Sequence, residues 1–258
     1  MKDNEKWKQY RLAGVILLIG CVLSAAILIL PQVIVPDSNP SPDAKTAIDY
    51  NEEQLRENIP QCTVSFCDET GRELITKQAV QGDPVVPPMV EKTGYVLRGW
   101  SVDVFHTSGD TKAFPEYEAV GDKKNAIYGG CIYSEIPGGF SVPVYIGGEV
   151  DCCDFQIEIA YDHGLLVFDG SETLLEGLSA EDDTENGLIT LKWSSEKSIM
   201  QPQKIAELKF TVEQTGLFRT NLAVLTKEIH ALDSGKRFYT DSTAYDFDIY
   251  LITFNKGE

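Results

Sequence analysis

The chain has 258 residues, and its 22 Lys and Arg against 40 Asp and Glu leave a formal net charge of -18 and a pI near 4.5. That balance excludes nucleic acid, whose phosphates need a basic face, and opposes adsorption to anionic lipid. Three histidines, with six cysteines at 21, 62, 67, 131, 152 and 153 and no C-x-x-C pair, give no framework for a zinc site, so metal catalysis is not expected.

Leu12 to Leu30 form an uncharged apolar run of 19 residues closed by Pro31. As a helix rising ~1.5 Å per residue, such a run spans about 28 Å, close to the hydrocarbon thickness. Lys2, Lys6, Lys8 and Arg11 precede it, and the first charge beyond it is Asp37, so the positive-inside rule puts residues 1–11 in the cytoplasm. The expectation is a single-pass plasma-membrane signal anchor over 12–30 with the bulk of the chain outside. Two rivals exist. Ser24-Ala25-Ala26 offers a small-residue cleavage site that would make the protein secreted, and Leu18-Ile19-Gly20-Cys21 fits a lipobox with Cys21 acylated. Continuation of the apolar run through Leu30 to Val33-Ile34-Val35 favours the uncleaved anchor.

Residues 31–61 read as a linker. Prolines at 36, 40 and 42 make its first part a stiff, extended spacer, and the stretch from Asp43 to Ile59 has the composition of a short helix.

From Cys62 to Tyr133 the pattern changes to short strands and turns. Thr63 to Phe66 alternate, Asp68 to Gly71 read as a turn, Leu74 to Val80 as a strand and Gly82-Asp83-Pro84 as a break. Val85-Val86-Pro87-Pro88 and then Gly94-Tyr95-Val96-Leu97-Arg98-Gly99-Trp100 follow, with a last strand at Ala126 to Cys131. This arrangement resembles the internalin-type B-repeat (Listeria-Bacteroides repeat), which implies a small ubiquitin-like β-grasp domain over 62–133 serving as a spacer. Tyr95 and Trp100 are expected to fill its core, the adjacent glycines allowing close backbone packing. Disulfide pairing of Cys62 or Cys67 with Cys131 is open to an extracellular chain, although buried free thiols are the commoner state of such cysteines.

Ser134 to Gly139, with Pro137-Gly138-Gly139, mark a boundary. Beyond it, strands are expected at 140–146, 153–161, 165–168, 188–193, 205–212, 218–225 and 245–254. In the second of these, Phe155, Ile157, Ile159 and Tyr161 share one face and Asp154, Gln156 and Glu158 the other. Ile189, Leu191 and Trp193 alternate in the same way with Thr190, Lys192 and Ser194. Many short alternating strands joined by Gly and Asn-Gly turns predict an antiparallel sandwich.

Cys153-Asp154-Phe155, Tyr161-Asp162 and Leu166-Val167-Phe168 together resemble the C-D-F…Y-D…L-x-V segment of cohesin modules, over residues 139–254. The resemblance implies a nine-stranded jelly-roll sandwich and a non-catalytic role: capture of a dockerin-bearing protein, as in cellulosome-type assemblies. It also implies a site. Asp154 aligns with an interface aspartate that accepts hydrogen bonds from the dockerin, and Gln156, Lys192 and Ser194 continue that outward face. The dockerin would carry calcium, whereas the cohesin needs no cofactor. Phe155 to Tyr161 is two residues longer than the usual spacing, an even insertion that preserves facing. Lys192 stands where an exposed apolar residue is common, which implies unusual specificity.

Catalytic signatures are missing: there is no G-x-S-x-G elbow, phosphate loop or H-E-x-x-H, and His106, His163 and His230 are isolated in sequence. The run Glu181 to Gly187 fails EF-hand spacing and reads as a solvated acidic loop ending in an Asn-Gly hairpin turn. The expectation is therefore a non-enzyme. A carbohydrate-binding module with a polysaccharide partner and a purely structural or adhesive surface protein are the alternative functions.

Overall fold

A computed structural model describes residues 59–253, in which all regular structure is β and no residue is helical. The expected cytoplasmic tail, the anchor at 12–30 and nearly all of the linker lie outside the described residues. Among those described, no helix is long and apolar enough to cross a membrane.

The first lobe is built from β1 (Gln61–Cys67), β2 (Glu73–Val80), β3 (Tyr95–Trp100), β4 (Thr111–Ala113) and β5 (Pro115–Ala119). β1 alternates as its sequence requires, with Cys62, Val64 and Phe66 buried between half-buried Thr63 and Ser65. The turn into β2 is organised by Asp68, whose Oδ1 accepts bonds from the Thr70 backbone N–H (2.9 Å), the Thr70 hydroxyl (2.6 Å) and the Arg72 N–H (3.0 Å). The Thr70 hydroxyl bond leads the effects that hold this carboxyl below its usual range. β1 pairs antiparallel with β2 and parallel with β4, while β3 and β5 form a separate antiparallel ribbon. Trp100 packs edge-on against Phe66, with centroids 4.9 Å apart, in a core shared with Val64, Val85, Val104 and Ala113.

β6 (Ala126–Tyr128) and β7 (Ile132–Glu135) depart from the expected domain plan. Of the segment read from sequence as the closing strand of the small domain, Ala126 to Tyr128 pair into the sandwich, while Gly130 bridges Leu97 of β3 in parallel and the Cys131 N–H donates to the Leu97 carbonyl at 2.9 Å. β8 (Gly138–Gly147) pairs antiparallel with β6, and β17 (Phe247–Ile252) pairs parallel with β7. All three residues of β6 are fully buried, a continuous run that suits a strand covered on both faces. The sandwich thus begins near residue 126, ahead of the Pro-Gly-Gly signal. Gly129, between the two strands, has no room for a side chain: a Cβ there would overlap the Phe247 ring and lie 2.8 Å from the Pro143 carbonyl oxygen.

The remaining strands are β9 (Cys152–Ala160), β10 (Val167–Thr173), β11 (Ser179–Asp183), β12 (Leu188–Ile199), β13 (Gln203–Val212), β14 (Leu217–Asp233), β15 (Lys236–Tyr239) and β16 (Thr243–Ala244). One sheet has the order β10-β13-β8-β6-β16 and the other β11-β12-β9-β14-β17-β7, with β15 added to β14. The sheets therefore hold five and seven strands, more than the nine that the resemblance implied. The core between them takes Phe155, Ile157 and Ile159 from β9, Ile189, Leu191 and Trp193 from β12, and Leu208, Phe210 and Val212 from β13. On β9 and β12 these are the residues that the alternation grouped on one face. Tyr161 is buried, stacks edge-on with Phe210 at 5.5 Å and donates its hydroxyl to Asp182 Oδ1 at 3.1 Å. Asp162 closes the following turn by accepting the Gly164 N–H at 3.0 Å, so the Tyr-Asp pair has a structural task.

Cys62, Cys67, Cys131, Cys152 and Cys153 are buried and free, so none of the pairings left open by the sequence forms among the described residues. Burial pushes the Cys131 thiol up to about 11 and the Cys152 thiol up to about 12 from a usual 9.0. A raised thiol pKa in the fold favours the folded state below the unfolded pKa, and that contribution is lost as pH rises from 9 toward 12. Stability measured by urea denaturation should therefore fall across that window. In Cys152→Ala the slope should flatten by up to about 1.4 kcal/mol per pH unit, and an unchanged slope would show that this thiol is not the titrating group.

Candidate functional site

The outward face of β11, β12, β9 and β14 follows from strand register. β9 lies between β12 and β14, with Asp154 opposite both Ser194 and His230, and Gln156 opposite both Lys192 and Glu228. All four residues singled out from sequence thus come together as two adjacent cross-strand pairs, half-buried or exposed. Among the described residues no other layer packs over them.

The two ends of the face differ. At one end Leu188, Ala160 and Ala223 stand in direct register across three strands, beside Leu225, which is 54% exposed. In the middle, Lys192 Nζ reaches Glu181 Oε2 at 2.7 Å and Lys227 Nζ reaches Glu158 Oε2 at 2.9 Å. Lys192 is thus held toward β11 by an exposed ion pair of the kind that contributes only ~0–1 kcal/mol. At the other end Asp154 is engaged on both oxygens: Oδ1 lies 3.0 Å from His230 Nδ1, and Oδ2 accepts from Arg237 Nη1 at 3.2 Å. Arg237 Nη2 also donates to the Ser194 hydroxyl at 2.7 Å and to the Ser195 carbonyl at 3.4 Å. Tyr239 packs on the His230 ring at a centroid distance of 4.4 Å.

His230, Arg237 and Tyr239 were not legible as site residues. His230 read as isolated because the strand was expected to end at Leu225, whereas β14 runs to Asp233 and turns through Ser234-Gly235 into β15. The available signal was alternation: beyond an extra residue at Lys227, Ile229 and Ala231 are buried and His230 faces outward. Glu181 to Asp183, read as a loop, form the edge strand β11, and only Thr184 to Gly187 turn the chain into β12. Charged residues on an edge strand discourage pairing with other chains. Trp193, expected on the core face, is buried and donates its indole N–H to the Glu176 carbonyl at 3.1 Å.

His106 is exposed beside Asp103, and His163 stands exposed in a turn. Among the described residues no group of three or more His, Cys, Asp or Glu is placed to hold a metal ion. The arrangement is an outward sheet face bearing hydrogen-bonding groups from β11, β12, β9 and β14.

No family model matches the chain, and no curated protein matches it. Solved structures similar to it include cohesins. One is the seventh ScaB type I cohesin from Pseudobacteroides cellulosolvens, at 17% identity and a TM-score of 0.46, covering 54% of this chain and 97% of that one. Another comes from a type I cohesin-dockerin complex, Coh-OlpA-Doc918, of Clostridium thermocellum, at 12% identity and a TM-score of 0.42, covering 49% and 98%. A third is the non-cellulosomal cohesin of the archaeon Archaeoglobus fulgidus, at 15% identity and a TM-score of 0.40, covering 49% and 88%.

Proposed function

We propose that this protein is a non-catalytic docking protein whose sandwich captures a calcium-loaded dockerin-type module and tethers the enzyme or scaffold bearing it at the bacterial cell surface. The observation that carries this reading is the uncovered face on which Asp154, Gln156, Lys192 and Ser194 meet in direct register. In the same reading Leu12 to Leu30 is the membrane anchor and residues 31–61 the linker. The first lobe is a B-repeat-like β-grasp spacer that lifts the docking face away from the membrane.

The test is capture from the host's secreted proteins by the full chain in mild detergent, with and without a calcium chelator. Chelator-sensitive recovery of dockerin-bearing proteins is expected. It should fall at least about tenfold in Gln156→Trp, which places a bulky ring at the centre of the face. Recovery of no such protein, together with retention of the chain on insoluble polysaccharide, would replace this reading with carbohydrate binding.

A further inference from the structure

Given that docking reading, we infer that the specificity-determining group at the charged end of the face is Arg237, and that the partner module presents a carboxylate to it. The resemblance assigns Asp154 the role of acceptor from the partner, but both of its oxygens are already engaged within this chain: Oδ2 accepts from Arg237 and Oδ1 lies 3.0 Å from His230 Nδ1. Its side chain is 23% exposed, against 46% for Arg237.

A guanidinium has five N–H donors. Three are used here, one from Nη1 to Asp154 and two from Nη2 to Ser194 and Ser195. The Nε–H and the second Nη1–H have no acceptor among the described residues, so this end of the face offers donors outward. A carboxylate is the acceptor that such a group selects, because hydrogen bonds between ionised partners are roughly twice as strong as neutral ones. Asp154 and Ser194 hold the guanidinium in place, so little side-chain freedom remains to be lost on docking. Two residues along the same face of β15, Tyr239 is 69% exposed and offers a ring for an apolar neighbour of that carboxylate. Asp154 is then a positioning residue that aims Arg237.

The test uses a displayed library of a calcium-loop dockerin scaffold, randomised at its exposed helix positions. It is panned on the full chain in detergent and calcium, and in parallel on Arg237→Glu and Arg237→Gln. The wild-type chain should select Asp or Glu at one position, the Glu variant should select Lys or Arg there, and the Gln variant should show no charge preference. Exchanging targets should weaken each winner at least about tenfold, the scale on which close interfacial charges couple. Because Glu beside Asp154 could disturb the fold, the Gln variant carries the test if Arg237→Glu does not give the wild-type melting curve. Winners without acid enrichment on the wild type, or the same winners on wild type and Gln variant, overturn the role of Arg237 and leave the docking reading standing. A library that yields no calcium-dependent binder on any target overturns both.

Discussion

Trp100→Ala is expected to destabilise the first lobe by about 3–5 kcal/mol, the range for deleting a buried large aromatic. The ring is 6% exposed and packs on Phe66 in a core of six buried residues, so few neighbours remain to close the cavity. The indole Nε1 is buried and has no acceptor among the described residues. Trp100→Phe, which keeps a ring and removes that orphaned donor, should therefore cost much less, under about 1.5 kcal/mol. Chemical denaturation followed by near-ultraviolet circular dichroism, with Trp193 fluorescence reporting on the sandwich, reads both lobes. A loss under about 1 kcal/mol for the alanine variant would mean that the ring is exposed in solution, and would reopen ligand stacking as its role.

A second large effect concerns where the sandwich can be cut. A fragment starting at Gly139, the boundary suggested by the Pro-Gly-Gly signal, lacks β6 and β7. It loses buried Ile127, Tyr128, Ile132 and Ile136 and leaves β8 without one neighbour. Each such side chain is worth ~2–5 kcal/mol, and together they match or exceed the ~5–15 kcal/mol net stability of a typical domain. The fragment 139–258 is therefore expected not to fold, whereas 124–258 should unfold cooperatively with dispersed amide resonances. Equal stability of the two would show that β6 and β7 are accessory to the sandwich.

These two cases mark what was readable from the chain. Period-two alternation placed Phe155, Ile157, Ile159, Ile189, Leu191 and Trp193 inside, and put Asp154, Gln156, Lys192 and Ser194 on one outer face, because a strand has only two sides. Turn chemistry at Asn186-Gly187 located the β11–β12 hairpin. Non-local pairing was not readable. Ala126-Ile127-Tyr128 could close a small domain or cross into a larger sheet, since a buried apolar run fits either and no local rule names its partner. Arg237 was hidden for a related reason: it lies 83 residues from Asp154, and only the length of β14 brings it to that carboxylate. The extra residue at Lys227 interrupted the alternation that would have extended the strand as far as His230.

The parallel registers of β7 with β17 and of β6 with β16 bear on mechanical load. Tension applied between the first lobe and the carboxy-terminal end pulls β7 and β17 in opposite directions along their common axis. Their hydrogen bonds then resist in shear, sharing the force, whereas a hairpin pulled from its open end unzips one rung at a time. The same two short strands that complete the sandwich thus form a clamp across the line between its ends, and in a force-extension measurement they should govern the rupture peak.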